Sequence, residues 1–368
     1  MKIKITNGML TALVINLVYA KAIGVTMGAM AREVGADMWV ASVFATIQGA
    51  ALMLITVVLL RRMPSGDIID VSDVMLGKWA AKLVALLIFA FFIMAFGTVM
   101  MTLVYHLKDY FLPDAPTFLF VLVGSIVGIY GCYAGLEVMG RMALFGVTSI
   151  LLLNILLIFG SLHEFDVRNL MPLLDNGIVK TVWASRQNDT DWAMATMMAA
   201  MVLPHVTEPK DWGRSAPAGI LMGGLIVLMW PILEAGVLSA PVTGEYIVAC
   251  MQMARSAHIG QFIHRYEMIM VALFSMSALI QVMICLFCAT HAVSKVFGLK
   301  DYRRLLIPVG IIMGAFGYWI VRDHFIAMDF TTRIWPLIGL PIAIGLPLIL
   351  LALSFFLGQR RVDRSGKS

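Results

Sequence analysis

The sequence predicts an all-α integral membrane protein of ten transmembrane helices, and three observations lead there. Of 368 residues, 61% are hydrophobic and 13% charged, against roughly 45–50% and about 25% in an ordinary soluble domain. Ten apolar runs long enough to cross a bilayer contain only seven of the charges, which otherwise crowd the connections. The runs do not alternate as a barrel strand must, as Ala50-Ala-Leu-Met-Leu-Ile-Thr-Val-Val-Leu-Leu60 illustrates.

Taken in order, the first run, Asn7 to Met30, lacks a small-residue cleavage site and reads as a retained helix. The second, Met38 to Leu60, ends on basic anchors and a turn, Arg61-Arg-Met-Pro-Ser-Gly66. The third, Trp79 to His106, carries Lys82 one turn in, where its stem can snorkel to the interface. The fourth is Pro116 to Leu136. The fifth, Val138 to Ser161, opens beside Glu137 and Arg141, four apart and placed to form a structural pair. After an outer loop from Leu162 to Thr190 comes the shortest run, Asp191 to Val206, whose apolar part stops at Pro204-His205. The seventh, Ser215 to Ala240, places Glu234 near its outer end, where it reads as a solvated rim carboxylate. The eighth, Ile263 to Val293, leads to the turn Gly298-Leu-Lys-Asp-Tyr-Arg303. Leu305 to Val321 and Ile334 to Leu357 complete the set.

With both termini inside, sixteen Lys and Arg fall on the inner side and nine on the outer, as the positive-inside rule expects. No soluble block or flexible linker interrupts the chain, so residues 1–368 read as one membrane domain. The net charge of +5 is too dispersed for a nucleic-acid partner, and four cysteines give no disulfide framework. Cys285-x-x-Cys288-x-x-His291 lacks a fourth metal ligand, and its members step about 300° around a helix. Asn188-Asp-Thr190 matches a glycosylation pattern, yet nothing places the chain in a glycosylating compartment. No Walker, His-Glu-x-x-His or Gly-x-Ser-x-Gly sequence occurs, so no enzyme, cofactor or metal is expected.

Two runs look interrupted. Transporters place their sites where corresponding helices of two halves are broken near the midplane, freeing backbone groups for a ligand. A five-plus-five split makes runs one and six that pair. Run one holds Asn16, Lys21, Gly24 and Gly28 inside what should be continuous apolar helix. Half-helix ends would offer N–H groups to a carboxylate and carbonyls to an amine, which suits an amino acid. The competing reading is that Gly24 and Gly28 simply allow close helix packing. Lys21, well inside run one, costs roughly 2.5–3.5 kcal/mol on insertion scales. Its ammonium either stands in for a bound cation, titrates in a cycle, or snorkels outward. Thr98, Asn154, Gln281 and Thr290 line a cavity or bond between helices.

Four short stretches resemble the spore germination permease family, the B subunits of endospore germinant receptors. They are Gly77-Lys-Trp-Ala-Ala-Lys82, Gly135-Leu-Glu-Val-Met-Gly-Arg141, Asn169-Leu-Met-Pro-Leu-Leu-Asp-Asn-Gly177 and Phe297-Gly-Leu-Lys-Asp-Tyr-Arg303, in matching order from Asn7 to Arg360. The resemblance implies a LeuT-like member of the amino acid, polyamine and organocation superfamily, with two inverted five-helix repeats, residues 7–161 and 191–357, and helices one and six broken. It implies a nutrient sensor in the spore inner membrane, termini on the core side, acting with a larger A subunit and a C lipoprotein. Carried over by position, the ligand site comprises Tyr19, Ala20, Lys21, Ala22 and Gly24 of run one, Phe96 of run three, Met194, Ala195, Thr196 and Met197 of run six, and Ser277 of run eight. Lys21 and Glu234 are the cation-mimic or proton-coupling candidates. Here Ala20-Lys21-Ala22 stands where the family favours small residues, and Ala195, Met197 or Met198 where it often has an acid. Both departures point to a more apolar or anionic ligand, small and nutrient-like. A stand-alone proton-coupled amino-acid transporter is the alternative.

Overall fold

The computed structural model describes residues 5–64, 66–258 and 266–365. Sixteen α-helices are present among them. The first, α1 (Asn7–Lys21), passes through a π-helical interval, Ala22–Thr26, into α2 (Met27–Val34). Gly35, at φ 57°, ends that run before α3 (Met38–Arg62). Then follow α4 (Ile68–Leu76), α5 (Lys78–Phe111), α6 (Thr117–Ala134) and α7 (Leu136–Ser161). The second half comprises α8 (Ile178–Ala184), α9 (Arg186–Val202), α10 (Trp212–Leu238), α11 (Ala240–Glu245) and α12 (Ala249–Ser256). It closes with α13 (Tyr266–Val296), α14 (Leu306–Val321), α15 (His324–Asp329) and α16 (Trp335–Ser365).

Eight stretches among the described residues are long and apolar enough to cross a bilayer, against the ten runs expected. The difference lies in two places. The stretch Asn7–Arg62 counts as one although its 56 residues would make a helix of about 84 Å, well over twice the ~30 Å hydrocarbon core. Helix α9 falls short because its first six residues, Arg186-Gln-Asn-Asp-Thr-Asp191, are polar. The start of run eight, residues 263–265, lies outside the described residues, as do the basic residues Lys2, Lys4 and Lys367.

Helix α1 is apolar on every side and sits at the centre. From Ala12 to Ala31 every residue is buried, enclosed by α7, α9, α10 and α13. An all-round apolar helix requires such enclosure. Its glycine neighbours permit the approach: Val14 and Val18 occupy the space beside Gly219 and Gly223 of α10.

Contacts at the helix ends fix direction. Ile5 pairs with Val206 in a single parallel bridge, and Ser215 Oγ donates to Asn7 Oδ1 at 3.0 Å. The start of α1 therefore lies beside the end of α9 and the start of α10. On this face α4 is clasped to the end of α13: Lys295 Nζ lies 2.5 Å from Asp67 and 2.6 Å from Asp70, and His291 Nε2 3.2 Å from Asp67. The opposite face carries a cap. Leu174 N–H donates to Asp37 at 2.6 Å, Asn176 Nδ2 to the Val34 carbonyl at 3.0 Å, and Arg32 to the Gly244 carbonyl at 2.7 Å. These tie the 167–177 segment and α11 over the end of α2.

Candidate functional site around the interrupted helix

Lys21 neither snorkels nor stands alone. It is 2% exposed, and its Nζ lies 2.7 Å from Asp191 Oδ1, 3.1 Å from Thr190 Oγ1 and 3.4 Å from Thr26 Oγ1. The second Asp191 oxygen accepts from Thr26 Oγ1 at 3.2 Å and Asn188 Nδ2 at 3.4 Å, and Asn188 in turn accepts from Ser42 Oγ at 2.7 Å. This buried network joins α1, α3 and α9. Taking one charge out of it would leave the other unpaired in low dielectric.

The π interval makes that geometry possible. In an α-helix, residues five apart point about 140° from each other. Hydrogen bonding i→i+5 widens the turn and brings the two positions towards one face, so Lys21 and Thr26 both reach Asp191. Run one is thus distorted rather than unwound, and α9 is a continuous α-helix from Arg186 to Val202. Both findings correct the expectation of broken helices. The glycines serve close packing: a Cβ on Gly24 would sit 2.5 Å from Thr102 Cγ2, and one on Gly28 2.5 Å from the Tyr246 carbonyl oxygen.

Backbone groups just before the interval are held by α13. Ser277 Oγ and Gln281 Nε2 donate to the Asn16 carbonyl at 3.0 and 3.1 Å, and Gln281 also to the Leu17 carbonyl at 2.7 Å. Asn154 Nδ2 donates to Tyr19 Oη at 3.0 Å, and Tyr19 meets Trp230 edge-on with centroids 6.3 Å apart. Gln281 and Asn154 are therefore interhelical bonds, while Thr98 donates to its own helix at Ala95.

Of the carried-over ligand residues, Tyr19, Ala20, Lys21, Ala22 and Gly24 border the interval, and Phe96, Met194, Ala195, Thr196, Met197 and Ser277 are likewise buried. Thr196 bonds to the Trp192 carbonyl of its own helix and Met194 Sδ lies 3.8 Å from Cys285 Sγ. None of them lines the three cavities described, of 430, 320 and 280 Å³.

Three sequence expectations change. Glu234 is fully buried, not a solvated rim group, and both its carboxylate oxygens lack a hydrogen-bond partner. Asp191 supplies the acid that run six was expected to lack. Lys21, paired with it, is no free cation for an anionic ligand. Asn188 of the Asn-Asp-Thr pattern is buried and hydrogen-bonded. The Glu137–Arg141 pair forms at 2.6 Å on an exposed surface, where such pairs contribute little. Among the described residues no cluster could hold a metal ion, and His291 of the Cys-x-x-Cys-x-x-His stretch is engaged by Asp67 instead.

Asp191, Asn188, Thr190 and Thr26 were not singled out from sequence, yet one signal was available. Run six contains a single acid, Asp191, and a buried Lys in run one calls for a carboxylate partner.

The sequence profile of the spore germination proteins, Spore_permease, matches residues 4–323. The chain belongs to the spore germination protein family. Spore germination protein KB of Bacillus subtilis (strain 168) is 24% identical over 379 residues, covering 100% of this chain and 98% of that protein. Spore germination protein A2 of the same organism is 26% identical over 247 residues, covering 66% and 67%. Among solved structures, a substrate-bound, outward-open Na+-coupled sialic acid symporter superposes with a TM-score of 0.66 at 11% identity, covering 94% of this chain and 79% of that one. MhsT in complex with L-phenylalanine gives 0.64 at 15% identity, covering 95% and 89%. This spore germination protein has an all-α, multi-spanning LeuT-like fold embedded in a membrane. The family is one of spore germination permeases, consistent with a germinant-receptor-type subunit of a spore membrane.

Proposed function

We propose that the chain is the B subunit of a spore germinant receptor, binding a small nutrient, an amino acid, where the π interval meets α5, α9, α10 and α12. The observation that carries this reading is the π interval itself, with a buried charge pair at its edge inside a germination protein. A fully enclosed distortion with two opposed charges is costly in lipid and marks ligand or ion sites. In this reading the chain crosses ten times, α1–α2 and α9 included, as two inverted five-helix repeats over residues 7–161 and 191–357. The clasp face, which carries most loop Lys and Arg, faces the spore core.

Lys21 takes the place of a bound cation. Three oxygens surround its ammonium, and the pair holds α1 to α9 without an ion to lose. The ligand-binding residues are Tyr19 to Gly24, with Phe96, Met194 to Met197 and Ser277 supporting them. Ligand favours one packing of the cap over another through differential affinity, and the change passes to an A subunit and a C lipoprotein. The cap includes described residues of the 244–260 loop up to His258 and lies directly on α2.

A second reading, a stand-alone proton-coupled amino-acid transporter, draws on Glu234, a carboxylate buried without a partner. Liposomes containing this chain alone, loaded against labelled amino acids under an imposed pH gradient, separate the two. The sensor reading expects binding without accumulation. Gradient-driven uptake would replace it with the transporter.

A further inference from the structure

Glu234 lies on α10 with no exposure and no partner for either carboxylate oxygen. Its contrast with Asp191 is instructive. Asp191 accepts from Lys21, Thr26 and Asn188, whereas no ion pair engages Glu234 among the described residues. A buried polar group is normally hydrogen-bonded, and an ionisable one kept at membrane depth marks a ligand or ion path.

The surroundings place Glu234 beside the interval. One turn earlier on α10, Trp230 packs edge-on against Tyr19. Thr243 of α11 donates to the Glu234 carbonyl at 3.2 Å, so α11 lies directly over this turn. Helix α12, which carries Cys250, packs against α10 and against the interval. The Cys250 sulfur is 3.4 Å from His106 Nε2, and His106 Cε1 would be 3.2 Å from a Cβ on Gly24. His106 stacks on Phe274 at 4.3 Å. Its Nδ1 lies 2.7 Å from the Thr102 carbonyl, which can only accept, so Nδ1 carries the proton and Nε2 of the neutral ring is an acceptor. The Cys250 thiol therefore donates to His106 Nε2, which leaves the Glu234 carboxylate as the unengaged acceptor of this group beneath the α11–α12 cap.

Resting on the ligand site proposed above, we infer that Glu234 anchors the ammonium group of a cationic or zwitterionic ligand. The ammonium at the edge of the interval, Lys21, is consumed by Asp191 and is not free for a carboxylate. The site offers an uncompensated carboxylate to an amine. This reverses the sequence-based expectation of an anionic ligand.

Melting of the purified full chain in detergent would be followed with three probe sets: the twenty L-amino acids, their amides, which keep the ammonium and lack the carboxylate, and the matching 2-hydroxy acids, which lack the ammonium. Amino acids and amides should raise the melting temperature and 2-hydroxy acids should not. Glu234→Gln should raise the half-saturating amide concentration about thirtyfold or more, with an unliganded melting temperature at or above wild type. Glu234→Asp should retain part of the response. Equal shifts from hydroxy acids and amides, or an unchanged amide response in Glu234→Gln, would overturn the ammonium assignment while leaving the ligand site standing. Absence of a shift from all three sets would overturn the ligand site and the assignment together.

Discussion

At the residue scale, Lys21 and Asp191 define what the interior can tolerate. Removing one member of a buried pair strands the other and typically costs about 3–5 kcal/mol, whereas replacing both by apolar residues is often neutral. Lys21→Met should therefore lower unfolding stability in detergent by about that amount, and Lys21→Met with Asp191→Leu should recover most of it. Equal losses in the single and double variants would show that the two side chains do not act as a pair. Asn188→Ala removes one donor to Asp191 and the acceptor of Ser42. It should cost about 1–3 kcal/mol, read as a fall in the same melting midpoint. Lys21 was conspicuous in the sequence because charge is costly in lipid. Asp191 was not, because it opens a run preceded by five polar residues and reads as a loop boundary. Glu234 was misplaced for a related reason: depth along a helix was legible, but coverage by α11 and α12 was not.

At the element scale, the α4–α13 clasp responds to acid. Asp67 caps α4, accepting from the N–H groups of Ile69 and Asp70 at 2.9 and 3.2 Å, and also holds His291 and Lys295. Burial alone would raise its pKa, but the hydrogen bond from His291 and the charge of Lys295 outweigh burial and hold it below the ordinary 3.8. A depressed carboxylate stabilises the fold fully above its unfolded value and loses that contribution as pH falls through its folded value. Stability should thus decline below about pH 4, and Asp67→Asn, which keeps the capping oxygen, should flatten that decline and lower neutral-pH stability by about 1–3 kcal/mol. An identical acid limb in wild type and variant would assign the decline to other carboxylates. The existence of the long apolar helices followed directly from composition and length. The π interval did not, because five-residue spacing of Lys21 and Thr26 carries meaning only once Asp191 is known to face them.

At the scale of the whole molecule, two faces and a sealed centre account for the design. The clasp face gathers the start of α1, the end of α9 and the basic anchors, and the cap face lays the 167–177 segment, α11 and α12 over the interval. The sequence pattern foresaw the membrane fold, and α1 and α9, which carry runs one and six, pack together at its centre. Run count was harder, since a 56-residue apolar stretch and a 17-residue polar-headed helix each blur hydropathy. The central claim is that a small nutrient binds at the π interval. Its most direct test is saturable binding of labelled amino acids, inosine and glucose to purified wild type and to Gly24→Ala, whose added methyl must displace Thr102 from 2.5 Å. The account predicts binding of at least one probe by wild type and weaker binding by a variant that still melts cooperatively. Equal binding by both proteins would contradict it.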